Sequence, residues 1–271
     1  EVDKLLDRGA GWLDEHPLRE VIVQRYLRHQ RSLTRAALER LSEGEVADAD
    51  ALDEAQRRPE EALEARISLD EARRIAVIDA LHRVGARAVV DVGCGEGKLL
   101  RALLRDRAFA KIAGMDVSHR ALERARDRLH LDDASDATRR RVGLFQGSIT
   151  YRDDRLRGFD AACAVEVIEH LEPERLGALE SCLFGHARPH TVIVTTPNRE
   201  HNVRFPGLAG GGLRHGDHRF EWTREEFARW AREVGERQGY APVLSGIGED
   251  DPEVGPPTQM AIFTLGEEAG R

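Results

Sequence analysis

Short apolar runs rich in β-branched residues alternate with stretches of helical spacing through the middle of the chain, and this alternation constrains the fold most. The runs predicted to form strands are Ala88–Val92, Ile112–Val117, Val142–Gln146, Phe159–Val165 and Thr191–Thr195. The stretches predicted to form helices between them are Lys98–Arg107, His119–Leu131 and Pro173–Phe184. Strands that alternate with helices form a parallel sheet with helices on both faces. We therefore predict an α/β domain whose ligands bind at the carboxyl ends of its strands.

The N-terminal part of the chain has a different pattern. Pro17–Leu41 has the spacing of an amphipathic helix. Ser42–Arg66 is acidic and rich in alanine without a strong apolar face, which is typical of a solvated linker. We predict a helical extension with a linker over residues 1–66 and the α/β domain over residues 67–271.

The C-terminal part completes the predicted sheet. Thr223 is followed three residues later by Glu226, which is the pattern of a helix-capping box. Phe220 and Trp222, just before this helix, are expected to pack in the core. Two closing strands are predicted, Ala241–Ser245 and Gln259–Leu265.

Composition narrows the class of protein. The formal net charge is -8, so any nucleic-acid site must be a local basic patch that the total conceals. The three cysteines form no CxxC pair, which is typical of a reduced intracellular protein, and we expect a cytoplasmic location. No apolar run is long enough to span a bilayer, so we expect no membrane role. Because the chain begins with Glu1, we expect it to be a piece of a longer protein.

A glycine-rich turn, Asp91–Gly97, lies where the first predicted strand meets the first predicted helix. Glycines there let a ligand approach the backbone and accept its amide hydrogens. The nicotinamide pattern GxGxxG requires a third glycine where this chain has Lys98. A phosphate-binding P-loop requires glycine at Val92 and Ser or Thr at Leu99. Both of these ligand classes are therefore disfavoured.

The pattern D-x-G-x-G-x-G resembles the first motif of class I S-adenosylmethionine-dependent methyltransferases. The resemblance implies a Rossmann-like, seven-stranded sheet with an antiparallel last strand. It also implies that Asp116, at the end of the second strand, hydrogen-bonds the ribose of the cofactor and that the Ser148–Ile149 turn contacts the adenine. The residues expected to bind S-adenosylmethionine are Asp91, Gly93, Cys94, Gly95, Asp116, Ser118, Ser148, Ile149 and Val165.

An acidic and histidine-containing motif, E-x-x-E-H, follows the fourth predicted strand. If a helix begins there, Glu166, Glu169 and His170 share one face. Two carboxylates placed close together repel each other unless a cation lies between them. The motif alone is not specific, because small-molecule methyltransferases carry similar segments. It also resembles the HxxEH zinc-protease motif, but its place at the end of a strand argues against that function.

A second segment, Leu213–Thr223 (LRHGDHRFEWT), is dense in histidine. With it the chain resembles the small-RNA 3′-terminal ribose 2′-O-methyltransferases, the Hen-type enzymes, in their bacterial form, which carry E-x-x-E-H and a later D-H-[KR]-F-E-W-T. The resemblance implies four catalytic metal ligands, Glu166, Glu169, His170 and His218. This mixed set suits Mn²⁺ or Co²⁺ better than Mg²⁺, although Mg²⁺ stays an alternative. We expect a surface role for His215 and expect Asp217 to orient a ligand imidazole.

The resemblance also implies an activity, a substrate and a partner. It implies metal-dependent transfer of a methyl group to the 2′-hydroxyl of the 3′-terminal ribose of an RNA that has free 2′,3′-hydroxyls. A bacterial RNA-repair kinase–phosphatase–ligase is the implied partner. The general base stays open among His170, His218 and a nearby histidine. Candidate substrate contacts are Arg73, Thr196 and Asn198.

Two alternatives stay open. A small-molecule O-methyltransferase would use the same fold and a similar E-x-x-E-H motif, without needing His218 or binding RNA ends. A non-catalytic partner module would keep the fold for its surface alone. The presence of Gly93, Gly95 and Asp116 together with all four expected ligands argues against such a module.

Overall fold

The computed structural model describes Leu13, residues 69–205, Leu208 and residues 212–266. The chain divides into two units, Glu1–Arg58 and Pro59–Arg271. The expected helix Pro17–Leu41, the acidic linker and the expected boundary at residues 66–67 lie outside the described residues and stay predictions. Within the described part of the chain, no helix combines the length and the apolar character that crossing a bilayer requires.

One seven-stranded sheet organises the domain, in the spatial order β3-β2-β1-β4-β5-β7-β6. Strands β1 to β5 pair in parallel, and β7 runs antiparallel to both β5 and β6. The strands are β1 Ala88–Val92, β2 Lys111–Asp116, β3 Val142–Gln146, β4 Ala161–Val165, β5 Thr191–Pro197, β6 Tyr240–Ile247 and β7 Thr258–Leu265. This arrangement confirms the predicted class I methyltransferase sheet with its antiparallel last strand.

The fourth strand begins two residues later than its sequence predicts. Its predicted start, Phe159, is a buried core residue that precedes the strand. The next residue, Asp160, accepts hydrogen bonds from the backbone N–H groups of Arg87 and Ala88, each at 2.8 Å. This carboxylate ties the entry of β4 to the entry of β1 before the two strands pair.

The α-helices of the described residues are α1 Leu69–Arg83, α2 Lys98–Arg105, α3 His119–Arg128, α4 Asp136–Arg141, α5 Leu176–Glu180 and α6 Arg224–Gln238. The predicted helix Pro173–Phe184 forms as a 3₁₀ turn, Pro173–Arg175, then α5, then a π-helix, Ser181–Ala187. The capping box predicted for α6 is present: Thr223 Oγ1 accepts from the Glu226 N–H, and the Glu226 carboxylate accepts from the Thr223 N–H. Such a reciprocal cap satisfies two backbone donors that a helix start otherwise leaves without partners. The start of α6 is therefore well defined, directly after the histidine-rich segment.

Helices cover both faces of the sheet, as the alternating pattern predicts. On one face, the apolar side chains of α1, α2 and α3 pack against β-strand residues such as Val89 and Ile112. On the other face, α5 and α6 pack against Val90 and Val92 of β1 and their neighbours. Phe220 and Trp222 pack against this second cluster, as expected, with ring centroids 4.5 Å apart. Burial on both faces leaves the carboxyl ends of the strands as the edge at which ligands can enter.

Candidate active site

The glycine turn follows β1 and folds back on β2. The N–H groups of Gly93 and Cys94 both donate to the carbonyl oxygen of Met115, at 2.7 and 3.0 Å. Gly93 has φ +79°, and a Cβ on it would lie 2.6 Å from Cγ2 of Val167. Gly95 has φ +50°, and a Cβ there would meet no described atom within 4 Å. The first glycine therefore permits close packing on the neighbouring loop, and the second borders open space that a ligand can occupy.

Asp116 links the glycine turn to α3. Its Oδ2 accepts from the N–H of Gly95 and its Oδ1 from the N–H of Ser118, each at 2.8 Å. Each carboxylate oxygen can accept more than one hydrogen bond. Asp116 thus retains the capacity to accept the ribose hydroxyls that the sequence pattern assigns to it. Ser118 serves as the N-cap of α3, where its hydroxyl accepts from the Ala121 N–H at 3.2 Å.

Asp91 is a buried acid beneath the turn. It is almost fully buried, and burial together with the nearby charge of Asp116 raises its pKa to about 7. Burial likewise raises the pKa of the neighbouring Cys94 thiol, so this cysteine stays a neutral packing residue. A cationic ligand beside Asp91 would favour the ionised carboxylate.

The turn after β3 completes the expected cofactor side. The N–H of Gly147 donates to the Asp116 carbonyl oxygen at 3.0 Å, and the hydroxyls of Ser148 and Thr150 lie 2.9 Å apart. Ile149 is buried in the core, and Val165 ends β4 on the other side of β1. All nine expected cofactor residues thus lie at or just beyond the carboxyl ends of four adjacent strands, β3, β2, β1 and β4.

Glu166 leaves β4 through an unusual backbone conformation. Its φ is +53°, a left-handed value that non-glycine residues rarely adopt. Its N–H lies within hydrogen-bonding distance of both the carbonyl oxygen and the Oγ1 of Thr195 on β5. The condition under which both glutamates and the histidine would share one helical face, a helix that begins at Glu166, is therefore not met. Only Ile168–His170 forms a single 3₁₀ turn, because Glu166 still bonds to the neighbouring strand.

The Glu166 carboxylate has two partners. Its Oε1 accepts from the Thr195 hydroxyl at 2.8 Å, and its Oε2 pairs with Nη2 of Arg73 at 2.9 Å. Arg73, on α1, is itself buried and donates through Nε to the hydroxyl of Thr258 at 3.1 Å. Side chains of α1 and β5 thus contact the Glu166 carboxylate directly, and β7 holds the arginine that pairs with it.

Glu169 is fully buried and only half satisfied. Its Oε2 accepts from the Thr196 hydroxyl at 3.0 Å, whereas its Oε1 has no hydrogen-bond partner among the described residues. Burial and the charge of Glu166 raise the pKa of Glu169 well above its usual range. A buried carboxylate oxygen without a donor is costly unless a cation or a proton meets it. The unpartnered oxygen of Glu169 therefore fits a position beside a cation.

Three histidines, and neither Glu166 nor Glu169, form the group of potential metal ligands among the described residues. One ligand atom from each of His170, His215 and His218 lies within 4.8 Å of the others. The sequence favoured a surface role for His215, but its ring centroid is 6.0 Å from that of His170 and 5.6 Å from that of His218. His215 Nδ1 accepts from the N–H of Asp217 at 3.0 Å, so its neutral ring carries its proton on Nε2.

His170 and His218 differ in their surroundings. The pKa of His170 is lowered to about 3, mainly because its ring loses hydration and secondly because the neighbouring imidazoles oppose its positive charge. The residue as a whole is nevertheless exposed. A neutral imidazole of this kind has the lone pair that metal binding requires. His218 is buried, with its ring centroid 4.9 Å from that of His170.

A carboxylate that the sequence analysis missed orients His218. The ring Nδ1 lies 2.6 Å from Oε1 of Glu221, and both side chains are buried. Burial opposes ionisation of Glu221, but hydrogen bonds from His218, Asn202 and the Arg214 N–H outweigh it and lower the pKa of this carboxyl. Asp217, which was expected to orient a ligand imidazole, contacts His170 through a backbone hydrogen bond, whereas the side-chain partner of His218 is Glu221. The only signal in the sequence was the glutamate three residues after His218.

The expected substrate residues are occupied within the protein. Thr196 and Asn198 are fully buried, and the Thr196 hydroxyl binds Glu169. The Asn198 amide donates to the carbonyl oxygens of Val254 and Pro256, each at 2.8 Å. Asn198 therefore fastens the β6–β7 loop to the end of β5, and its predicted substrate contact stays a prediction. Arg73 pairs with Glu166 at the rim of the acidic cluster, and its predicted phosphate contact stays untested.

Comparisons with known proteins agree with this geometry. A family model described as a methyltransferase domain matches residues 26–236, and one described as the RNA repair, ligase-Pnkp-associating, region of Hen1 matches residues 1–42. The solved methyltransferase domain of bacterial CtHen1 is 50% identical with a TM-score of 0.66, covering 73% of this chain and 100% of that one.

Further relatives extend the comparison. The small RNA 2′-O-methyltransferase of Xenopus tropicalis is 38% identical over 187 residues, which is 66% of this chain and 50% of that protein. This chain therefore spans about half the length of the curated relatives it matches. A chain in the solved Pnkp1/Rnl/Hen1 RNA repair complex has a similar fold, with 23% identity, a TM-score of 0.53, and coverage of 72% of this chain and 41% of that one.

Proposed function

The chain belongs to the Hen1 family of small-RNA methyltransferases, and on that premise we propose that it methylates the 2′-hydroxyl of the 3′-terminal ribose of RNA. The methyl donor is S-adenosylmethionine. The observation that carries the proposal is the buried Glu169, whose Oε1 has no hydrogen-bond partner among the described residues, in a segment that meets the glycine turn. The close approach of Gly93 to Val167 brings these two parts of the site together.

S-adenosylmethionine supplies an electrophilic methyl group when it is bound. The Gly93–Gly97 turn offers backbone at the end of β1, and Asp116 offers a carboxylate at the end of β2 for the ribose hydroxyls. The Ser148–Ile149 turn lies beyond them at the end of β3 and would contact the adenine. Asp91, buried beneath the turn, would become ionised beside the cationic cofactor.

The acidic and histidine residues would hold a divalent ion, Mn²⁺ or Mg²⁺ and as a further alternative Co²⁺. The proposed ligands are Glu166, Glu169, His170 and His218, and His215 lies within the same group of ring nitrogens. A divalent ion acts as a Lewis acid toward a sugar hydroxyl and lowers its pKa. If both the 2′- and 3′-oxygens of the terminal ribose must be bound, only an RNA end with two free hydroxyls is accepted.

The protein residues orient this donor set. Thr195 holds one oxygen of Glu166 and Thr196 holds one oxygen of Glu169, so each carboxylate is turned by a hydroxyl from β5. Arg73 offsets part of the negative charge at Glu166. Fixing two acids in this way before the substrate arrives lowers the cost of reorganisation during the reaction.

RNA repair is the proposed setting. Residues 1–42 match the region of Hen1 described as associating with the ligase and Pnkp, and a chain of the Pnkp1/Rnl/Hen1 RNA repair complex shares the fold. We propose a kinase–phosphatase–ligase as the partner and the bacterial cytoplasm as the place of action. The methylated end would then be protected, because the 2′-oxygen can no longer act as a nucleophile.

The test follows transfer of labelled methyl from S-adenosylmethionine to short RNAs. Matched oligonucleotides end in a free 2′,3′-diol, in a 3′-phosphate or in a 2′-deoxy sugar, and each is tested with Mn²⁺, with Mg²⁺ and with a chelator. We expect transfer only to the diol, and only with metal. Absence of transfer to every RNA despite binding of the cofactor would overturn the proposal and favour a small-molecule substrate.

A further inference from the structure

We propose that Glu221 is a positioning residue that holds His218 in the one tautomer able to bind the metal through Nε2. The inference rests on the proposed function, since it assumes that His218 is a metal ligand. It adds a residue that lies outside the four proposed ligands and the cofactor turn.

The first step is the short contact between the two side chains. Nδ1 of His218 lies 2.6 Å from Oε1 of Glu221, and the side chains are only 2% and 0% exposed. An ionised carboxylate can only accept hydrogen bonds, so Nδ1 must carry the proton. In the neutral ring this leaves the lone pair on Nε2. The contact thus determines which ring nitrogen is free.

The second step is the direction of the ring. The ring of His218 stands nearly perpendicular to that of His170, with centroids 4.9 Å apart and an interplanar angle of 77°. One ligand nitrogen of His218 lies within the group formed with His170 and His215. Because Nδ1 is occupied by Glu221, Nε2 is the nitrogen left to meet a cation in that group.

The third step is the rigidity of Glu221 itself. Its Oε1 also accepts from the backbone N–H of Arg214 at 2.7 Å, and its Oε2 accepts from the amide of Asn202. Arg214 in turn donates to Oδ1 of Asn202 at 2.6 Å, and to the carbonyl oxygens of Asn198 and Pro257, each at 2.7 Å. The carboxylate is therefore anchored to the ends of β5 and of the β6–β7 loop. A ring bonded to such an anchor has little freedom to turn.

The effect should appear as a loss of metal affinity. Partners that orient a ligand imidazole through its second nitrogen typically contribute about 10- to 100-fold in metal affinity. A neutral amide at position 221 can accept from one tautomer or donate to the other, so Glu221→Gln weakens the preference. With its oxygen toward His218 it places two amide donors against each other at Asn202, and with its NH2 toward His218 it opposes the Arg214 N–H, so either orientation is expected to lower the melting temperature.

The first measurement uses the unmodified protein. Nitrogen-15 NMR of metal-free, histidine-labelled protein reports which ring nitrogen of His218 carries the proton, with the signal assigned by its loss in His218→Ala. We expect the proton on Nδ1. A His218 ring with its proton on Nε2 would overturn the proposal, and this result does not depend on whether any Glu221 variant folds.

The second measurement compares Mn²⁺ binding by two matched variants, using the electron paramagnetic resonance signal of free Mn²⁺. Glu180→Gln is the control, because Glu180 is also a buried acid and accepts from Arg237 and Gln238. We expect Kd for Mn²⁺ to rise about 10- to 100-fold in Glu221→Gln and to stay within about 2-fold of the unmodified protein in Glu180→Gln. Methyl transfer by Glu221→Gln should recover at high Mn²⁺.

A folded Glu221→Gln protein that binds Mn²⁺ as tightly as the unmodified protein contradicts the inference. On the His218→Ala background, Glu221→Gln should change the Mn²⁺ affinity by less than about 2-fold, because a residue that acts through His218 has nothing left to orient. A further 10-fold loss on that background would show that Glu221 acts by another route. If the unmodified protein binds none of Mn²⁺, Mg²⁺ and Co²⁺, the proposed metal-dependent function fails instead, and the two failures are thereby distinguished.

Discussion

The two halves of the candidate site differ in the groups that they offer to a ligand, which are mostly backbone groups on the cofactor side and side chains on the acidic side. On the cofactor side, much of the turn is backbone from one short stretch, Gly93–Gly97, with Asp116 bracing it from the next strand. On the acidic side, every proposed ligand is a side chain, and those side chains come from two stretches of sequence about 50 residues apart. Hydroxyls of Thr195 and Thr196 and the carboxylate of Glu221 orient them.

This difference shows where each half is vulnerable. A backbone turn keeps its hydrogen-bonding groups when most of its side chains change, so its weak points are the glycines. A cluster of buried charged side chains depends on every member, because removing one leaves another without compensation. The two halves should therefore respond independently to substitution, except where they touch at Gly93 and Val167.

The largest expected effect is on the acidic side alone. Glu169→Gln keeps the shape of the side chain but replaces the carboxylate whose Oε1 has no partner among the described residues. Loss of one charged ligand removes several kcal/mol of transition-state stabilisation, so methyl transfer should fall by about 10³-fold or more. The affinity for S-adenosylmethionine, measured by calorimetry, should stay within about 2-fold. If Glu169→Gln weakens S-adenosylmethionine binding as much as it slows methyl transfer, the two halves do not respond independently.

The next effect belongs to the cofactor side. Since the pKa of Asp91 is raised to about 7, the folded protein keeps a proton that the unfolded chain loses above pH about 4. The free energy of unfolding should therefore decrease as pH rises from about 4 to about 7. A shift of this size corresponds to a contribution on the order of 4 kcal/mol.

Urea denaturation across this pH range measures that contribution when the cofactor-free protein is compared with its Asp91→Asn variant. The asparagine variant cannot ionise, so the difference in free energy of unfolding between the two proteins should change across the window. If the difference in the free energy of unfolding is the same at pH 4 and at pH 8, the pKa of Asp91 is not raised.

The smallest expected effect lies at the contact between the two halves. Gly93→Ala places a methyl group 2.6 Å from Val167, whereas Gly85→Ala has a similar positive φ with no described atom within 4 Å. Both variants carry the backbone penalty of a left-handed alanine, about 1–2 kcal/mol. Crowding should make Gly93→Ala less stable than Gly85→Ala by a further 1–3 kcal/mol or so.

Gly93→Ala should also weaken both cofactor binding and methyl transfer, because the displaced Val167 lies in the loop between Glu166 and Glu169. Thermal unfolding, calorimetry and the transfer assay together measure the three effects. If Gly93→Ala and Gly85→Ala behave alike in all three, the contact does not couple the two halves.

Most of the sheet was predictable from the sequence. The bounds of β1 and β3 match the predicted runs, since buried parallel strands show as short β-branched segments between glycines and polar turns. The helix α4, Asp136–Arg141, was not predicted, because it buries no residue and so leaves no apolar stripe to detect. The later start of β4 depends on hydrogen bonds from Asp160 to another strand, which no local pattern reveals.

The candidate site was predictable only in part. The four proposed ligands and the nine cofactor residues were predicted from motifs and stay predictions; the nine cofactor residues lie at or just beyond the carboxyl ends of the strands, and only His170 and His218 of the four ligands fall in the histidine group. The place of His215 beside the other two histidines, the anchoring role of Asn198 and the partner of His218 were not predicted. In each case the outcome depends on a contact between side chains or loops, and a sequence motif does not specify how those groups are oriented in space.

By itself, then, the sequence determined the order of strands and helices, the glycine turn and the residue types available for chemistry. These follow from local propensities and from the periodicity of burial, which act over a few neighbouring residues. Only the tertiary structure decided that Glu169 is left half satisfied, that Arg73 pairs with Glu166 and that Glu221 holds His218. Those contacts exist because burial forces each polar group to find a partner in space, wherever along the chain that partner lies.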